Sequence, residues 1–127
     1  MSEAPSEKTV LLVDDDRDIL TAMEAALKDL GAAIRTASDG NKALTQAQKC
    51  NPDVVVLDMM MPKRSGFLVL EKLKQGRSEA DRPRVIMVTA NEGVRHRVYA
   101  ESLGVSRYLH KPFRMEKLTE AVKELLE

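Results

Sequence analysis

Four apolar runs in this chain end on groups able to handle a cation or a phosphate. Val10–Val13 leads into Asp14, Asp15 and Asp16, and Val54–Leu57 leads into Asp58. Val85–Val88 leads into Thr89, and Tyr108-Leu109-His110 leads into Lys111-Pro112. If these runs are parallel neighbouring strands, acid, acid, hydroxyl and ammonium meet at one edge of one sheet. Asp14, Asp15 and Asp58 would then crowd together, and like charges at such range repel by roughly several kcal/mol at a dielectric near 20. Such a cluster raises its own pKa values unless a cation neutralises it. The ligands are hard oxygens, too few for a closed cage, which favours Mg²⁺ over a structural Ca²⁺. No His or Cys sits with them, which argues against zinc. A carboxylate beside Mg²⁺ can attack a phosphoryl group and form an acyl phosphate. Asp58 is the candidate nucleophile, because it stands alone on its strand while Asp14 and Asp15 flank the metal. Lys111 offers a point charge for a phosphate oxygen, and Thr89 a hydroxyl from the opposite side.

The elements that must position these groups follow from hydrophobic periodicity, which alternates between strand and helix five times. Thr9 to Val13 and Val54 to Leu57 are continuously apolar, as strands covered on both faces are. Ala33 to Ala37 includes Arg35 and Thr36 and reads as an edge strand. Val85 to Val88 is the fourth strand, and about Arg107 to Leu109 a short fifth. Ile19, Leu20, Met23, Leu27 and Leu30 share a helical face that Gly31 ends. Ser38-Asp39-Gly40 offers a turn and a cap for a second helix with Ala43, Leu44 and Ala47, which stops before Asn51-Pro52. Phe67, Leu70 and Leu73 mark a third helix. A weakly patterned fourth runs through Val94, Val98 and Leu103 to Gly104. Leu118, Ala121, Val122 and Leu125 line a fifth. Five βα units joined by short links predict an α/β fold with a parallel sheet and helices on both faces. The strand characters fit a flavodoxin-like (βα)5 sheet of order 2-1-3-4-5, whose ligands bind beyond the carboxyl ends of strands one and three.

The 127 residues suit one domain. Residues 1–7 read as a flexible leader and 8–127 as the domain. Lys plus Arg balances Asp plus Glu at 20 each, so no strong field points to nucleic acid or an anionic membrane. Trp is absent and aromatics are few, which argues against base-stacking platforms. No apolar run approaches the ~20 residues of a membrane span. The single cysteine, Cys50, cannot pair within the chain, and reduced cytoplasmic surroundings fit best; it reads as a small helix-end residue.

Together Leu12-Val13-Asp14-Asp15, Asp58 with Met61-Pro62 and Gly66, Thr89-Ala90, and Tyr108 with Lys111-Pro112-Phe113 resemble the receiver domain of two-component response regulators. The resemblance spans about residues 8 to 126. It implies a phosphoprotein switch carrying an aspartyl phosphate on Asp58. It implies Mg²⁺ held by Asp15 directly, Asp14 through water, Asp58, and the backbone carbonyl of Met60. Lys111 and Thr89 would contact the phosphoryl group, Tyr108 would be the switch aromatic, and Lys111-Pro112 would be cis. A histidine kinase or histidine phosphotransfer protein would be the donor, docking near the first helix. A downstream protein or output domain would read the face of the fourth helix, fifth strand and fifth helix. Met60 and Asn91 would modulate water access to the acyl phosphate, and apolar Met60 suggests a long-lived phospho-form. Two departures, the bulk of Gly104 to Arg107 and Lys63 in the loop after the proline, touch loop shape and the partner surface rather than the chemistry.

Plainer roles compete at several positions. Asp16 reads as a helix cap, and Met59-Met60-Met61 as packing and loop rather than metal ligands. His96, between Arg95 and Arg97, reads as solvated; His110 should point away from Lys111. Arg95, Arg97, Arg107 and Arg114 form either a solvated face or a partner surface. The runner-up function is a Mg²⁺-dependent phosphohydrolase with an aspartyl-phosphate intermediate. It would want a second acid two residues after the nucleophile, where Met60 stands, and a substrate cap for which no insertion is long enough. A module that keeps the fold without phosphorylation is a third reading, against which the complete acid, Thr and Lys set argues. The fifth helix closes the 127 residues, so no output domain is expected within them; a stand-alone regulator and a fragment of a larger protein both fit.

Overall fold

The computed structural model describes residues 8–61, 65–90 and 94–127. The leader, Pro62, Lys63 and Asn91 therefore lie outside the described residues. Five parallel strands, β1 (Thr9–Val13), β2 (Ala33–Ala37), β3 (Val54–Asp58), β4 (Arg84–Thr89) and β5 (Arg107–His110), form one sheet in the order β2-β1-β3-β4-β5. Five helices alternate with them: α1 (Arg17–Leu27), α2 (Gly40–Cys50), α3 (Gly66–Lys74), α4 (Val94–Ser102) and α5 (Met115–Leu126). The expected order and the edge position of β2 are both found.

Strand alternation divides the core into two layers. Leu11, Val13, Val55, Leu57, Val85 and Met87 face α2, α3 and α4, while Val10, Leu12, Val54, Val56, Ile86 and Val88 face α1 and α5. Every residue of β3 is buried, so β3 reads as an unbroken apolar run up to its terminal acid. A slip by one residue would exchange the two layers and carry Asp58 to the wrong face. The parallel register is thus held by packing, and it matches Val13 with Leu57 and Asp58 with Val88.

Local chemistry sets the ends of the helices. Asp16 caps α1, its side chain accepting from the backbone N–H groups of Asp18 and Ile19, and Asp39 caps α2 by accepting from Lys42 N at 2.8 Å. Helix α1 tightens into a 3-10 turn, Lys28–Leu30, before Gly31 closes it in the left-handed region at φ 80°. Gly66 opens α3 for another reason. A Cβ there would lie 2.5 Å from the Asp58 carbonyl oxygen and 2.6 Å from Met59 Cα, so only glycine lets α3 start against the end of β3.

The sequence pattern proved least informative at α4. Val98 is exposed, and the buried residue of the helix among those described is Ala100. Ring contacts with α3 hold α4 in place. Phe67 stacks on His96 at 5.9 Å between centroids and meets Tyr99 edge-on at 5.0 Å. The expectation of a solvated His96 is corrected accordingly: the ring is half-buried, and its Nδ1 is buried without a hydrogen-bond partner. Val69, also unforeseen, is fully buried in α3.

At the amino end of the sheet a polar network replaces apolar packing. Lys74 is 4% exposed, and its Nζ donates to the carbonyls of Asp81 at 2.7 Å, Pro83 at 3.1 Å and Glu79 at 3.5 Å. Desolvation pushes the Lys74 pKa down, opposed chiefly by the carboxylate of Asp81. Nearby, Arg82 pairs with Asp53 at 2.7 Å, and Arg84 pairs with Glu79 at 2.7 Å. Lys111-Pro112 is cis as expected; Arg82-Pro83 is also cis, which nothing in the sequence signalled. Replacing Lys74 with Met keeps the aliphatic stem but strips these carbonyls of a buried donor. Lys74→Met should lower folding stability by about 2–3 kcal/mol, read as a fall in the urea midpoint at unchanged slope.

Candidate functional site

The sheet register fixes where the reactive groups stand. Val13 pairs with both Ala37 and Leu57, so Asp14 emerges beside Asp58. Thr89 ends β4 one step beyond the Asp58–Val88 pair, and Thr89 pairs with His110 of β5, just before Lys111. The Lys111 N–H donates to the Thr89 carbonyl at 2.7 Å, tying the two strand ends together. Asp14, Asp58 and Thr89 are buried, Asp15 is exposed and Lys111 is partly exposed. The site is thus a rim, with the Asp58 carboxylate below and Asp15 towards solvent.

Asp14, Asp15 and Asp58 each offer a carboxylate oxygen, and these oxygens lie within 4.8 Å of one another. Lys111 Nζ is 3.2 Å from Asp14 Oδ2 and 3.8 Å from Asp58 Oδ2. Backbone donors hold the other oxygens: Asp16 N–H to Asp14 Oδ1 at 2.9 Å, and Met60 N–H to Asp58 Oδ1 at 3.1 Å. This three-carboxylate cluster suits a hard divalent cation, and a single ammonium leaves its negative charge only partly compensated. Burial pushes the Asp58 carboxyl up, and the Asp14 charge pushes it further. The Met60 N–H and Lys111 oppose both, Asp15 adds a smaller upward push, and the carboxyl comes to rest at about 7. Groups displaced this far by burial and a like charge are concentrated at functional sites.

Tyr108 lies on the far side of Thr89. Its ring is half-buried and its hydroxyl is buried without a well-formed hydrogen bond. Burial raises the phenol pKa, with the Thr89 hydroxyl pulling the other way ahead of Arg97. The Arg97 guanidinium sits over the Tyr108 ring, 5.7 Å from its centroid, a cation–π distance. No sequence signal marks this contact, since it joins α4 to β5 across a loop. Arg97 also pairs with Glu101 at 3.4 Å, and Arg107 with Glu124 at 3.3 Å, so two members of the basic cluster have acidic partners. His110 is exposed. Met59 is buried and Met60 exposed, the first serving packing and the second the loop. Cys50 ends α2 as a free, half-buried thiol whose pKa burial raises.

A raised carboxyl pKa makes stability depend on pH. With Asp58 near 7 in the folded chain and near 3.8 unfolded, the folded state holds a proton that the unfolded state has released. The Asp58 contribution to stability is therefore fully present below about pH 4 and is lost as pH rises through 7. In chelator-treated protein, Asp58→Asn should be more stable than wild type by about 2 kcal/mol at pH 8. That difference should vanish near pH 4, as followed by thermal melts across the range.

Comparison with known proteins agrees with this arrangement. The sequence model of the response regulator receiver domain matches residues 10–123. A probable transcriptional regulator of Cyanophora paradoxa, ycf27, is 40% identical over 121 residues, covering 95% of this chain and 49% of its own length. The alkaline phosphatase synthesis transcriptional regulatory protein PhoP of Bacillus subtilis is 35% identical over 119 residues, covering 94% of this chain and 48% of its own. The chain thus spans about half the length of the curated relatives it matches. Among solved structures, the signal receiver domain of a putative Luxo repressor protein from Vibrio parahaemolyticus superposes with a TM-score of 0.86 at 28% identity, covering 94% of this chain and 90% of that one. Chemotaxis response regulator CheY4 of Vibrio cholerae gives 0.83 at 29%, covering 94% and 99%. Sheet order, clustered carboxylates and matched sequence agree: this chain belongs to the response regulator receiver family, a signalling switch rather than a member of a conventional enzyme family.

Proposed function

We propose that Asp58 is the phosphoacceptor of a two-component phosphorelay and that Mg²⁺ is the cation of its site. The observation that carries this reading is the placement of Asp58. It is a buried carboxylate at the end of the central strand β3, with Asp14 and Asp15 beside it and Lys111 Nζ at 3.8 Å. Asp14, Asp15, Asp58 and the Met60 backbone carbonyl would hold the ion. When bound, Mg²⁺ would neutralise the carboxylates and spread the charge on the transferred phosphoryl oxygens.

The remaining chemistry belongs to this chain. Asp58 must be ionised to attack, and Lys111 and the Met60 N–H both favour its charged form. An Asp58 oxygen bonds to phosphorus as the donor's phosphorus–nitrogen bond breaks, and the leaving imidazole of a histidine kinase or phosphotransfer protein takes up a proton. Lys111, freed of part of its pairing with Asp14, turns its ammonium to a phosphoryl oxygen. Thr89 donates its hydroxyl to another. Tyr108 then follows Thr89, and the exposed face of α4, β5 and α5 changes its affinity for a downstream protein or output domain. Charge-assisted hydrogen bonds of this kind are strong enough to bias a two-state element.

Among the described residues no helix is long and apolar enough to cross a membrane, and we place the reaction in the cytoplasm. Asn91, outside the described residues, and Met60 would tune hydrolysis of the acyl phosphate. The phosphohydrolase reading is not favoured: where it needs a proton donor, two residues after Asp58, stands a methionine.

Two measurements test the proposal. Incubation with acetyl phosphate and Mg²⁺ should add one phosphoryl mass to the intact protein. Asp58→Asn should abolish the gain, and Lys111→Ala should reduce it at least tenfold, the loss of about 1.4 kcal/mol of transition-state stabilisation. Persistence of the label on the Asp58→Asn protein would refute the assignment. Separately, millimolar Mg²⁺ should raise the melting temperature at pH 8 by mass action. It should leave Asp14→Asn/Asp15→Asn protein unmoved.

A further inference from the structure

The methionines of this chain differ sharply in exposure. Met23, Met59 and Met87 are buried, Met61 and Met115 are half-buried, and Met60 is 61% exposed. Met60 is also the residue whose backbone N–H lies 3.1 Å from Asp58 Oδ1. Its main chain therefore touches the acceptor carboxylate while its thioether meets solvent. To water that reaches Asp58 past this residue, the Met60 side chain offers only the weak acceptor of a thioether. A sulfoxide is different, because oxidation turns the apolar side chain into a polar one with a strong acceptor oxygen.

We propose that Met60 is an oxidative modification site whose sulfoxide shortens the lifetime of the acyl phosphate on Asp58. The inference rests on the phosphoacceptor reading above. The oxidant is a two-electron peroxide. The Met60 sulfur attacks one oxygen of hydrogen peroxide, a sulfur–oxygen bond forms, and the oxygen–oxygen bond breaks. Sulfur loses two electrons, peroxide is reduced to water, and the proton on the transferred oxygen passes to the departing hydroxide. The new sulfoxide oxygen accepts a hydrogen bond from a water molecule and holds that water beside the phosphoryl group. Attack by the water forms a new oxygen–phosphorus bond and breaks the bond to the Asp58 carboxylate. Inorganic phosphate leaves carrying both of the water's protons, as dihydrogen phosphate, and the free Asp58 carboxylate is restored. Burial protects Met59 although it is the next residue along the chain. The effect is thus confined to the one methionine among the described residues that is both open to solvent and in contact with the acceptor.

The test uses the full chain and hydrogen peroxide. Peptide mass spectrometry with fragmentation should place the first added oxygen on Met60, ahead of Met61 and Met115 and well ahead of Met23, Met59 and Met87; Met1 is resolved on a separate peptide. Oxidised and untreated protein are then phosphorylated with acetyl phosphate and Mg²⁺, desalted, and followed for loss of the phosphoryl mass. The oxidised form should lose it several-fold faster, and methionine sulfoxide reductases A and B should restore the slower rate. Met60→Leu will set a lifetime of its own, and peroxide should not change it. Preferred oxidation of another methionine, equal lifetimes with Met60 fully oxidised, or a Met60→Leu protein still sensitive to peroxide would each overturn the proposal. If no phosphoryl mass appears even before oxidation, the phosphoacceptor reading itself fails, and the coupling with it.

Discussion

The crowding of Asp14 and Asp58 at the ends of two buried strands is the constraint on which the rest of this molecule depends. Two carboxylates sunk in the sheet edge, with a third above them, are costly to hold in their charged forms. The chain meets that cost with a stiff platform. β1 and β3 are packed on both faces, so neither strand can slide or rotate to separate the charges. Lys111 reaches in from the β5 side and compensates part of the field. The strain is electrostatic rather than steric, and a cation or a change of charge at Asp58 relieves it.

Much of this was legible in the residues. The convergence of Asp14, Asp58, Thr89 and Lys111 follows from continuous apolar runs ending on polar groups, the cap at Asp16 from the preference for Asp at a helix start, and the strand order from the flavodoxin-like fold that the strand characters fit. Those signals are strong because β1 and β3 are buried on both sides and leave no ambiguity of face. Legibility failed where packing is not periodic. Helix α4 has a single fully buried residue among those described, Ala100, and rests on Phe67 through His96 and Tyr99, contacts between side chains far apart in sequence. Lys74 looked like any charged residue at a helix end. Its burial depends on three carbonyls supplied by the loop before β4, and no local pattern encodes a loop folding back.

The two ends of the sheet are built on opposite principles. At the amino end, Lys74, Asp53, Arg82, Glu79 and Arg84 are matched with partners of opposite charge or with backbone carbonyls. At the carboxyl end, like charges are left facing one another. Tyr108 belongs to the second end but shows neither kind of contact, with Arg97 over its ring and Thr89 near its hydroxyl. Its ring also packs against the core layer beneath α3 and α4, so Tyr108 touches both the helix and the strand that carry its two polar neighbours.

Gly66 has a mechanical consequence. With no side chain between the first turn of α3 and the carbonyl of Asp58, there is no compliant filler to absorb a shift of either. A sub-ångström displacement of the strand tip is passed on to the start of α3 undamped. Through Phe67, the next residue, it reaches the rings of α4. The fold thus contains a rigid pushrod between the tip of β3 and the start of α3, made by omitting a side chain.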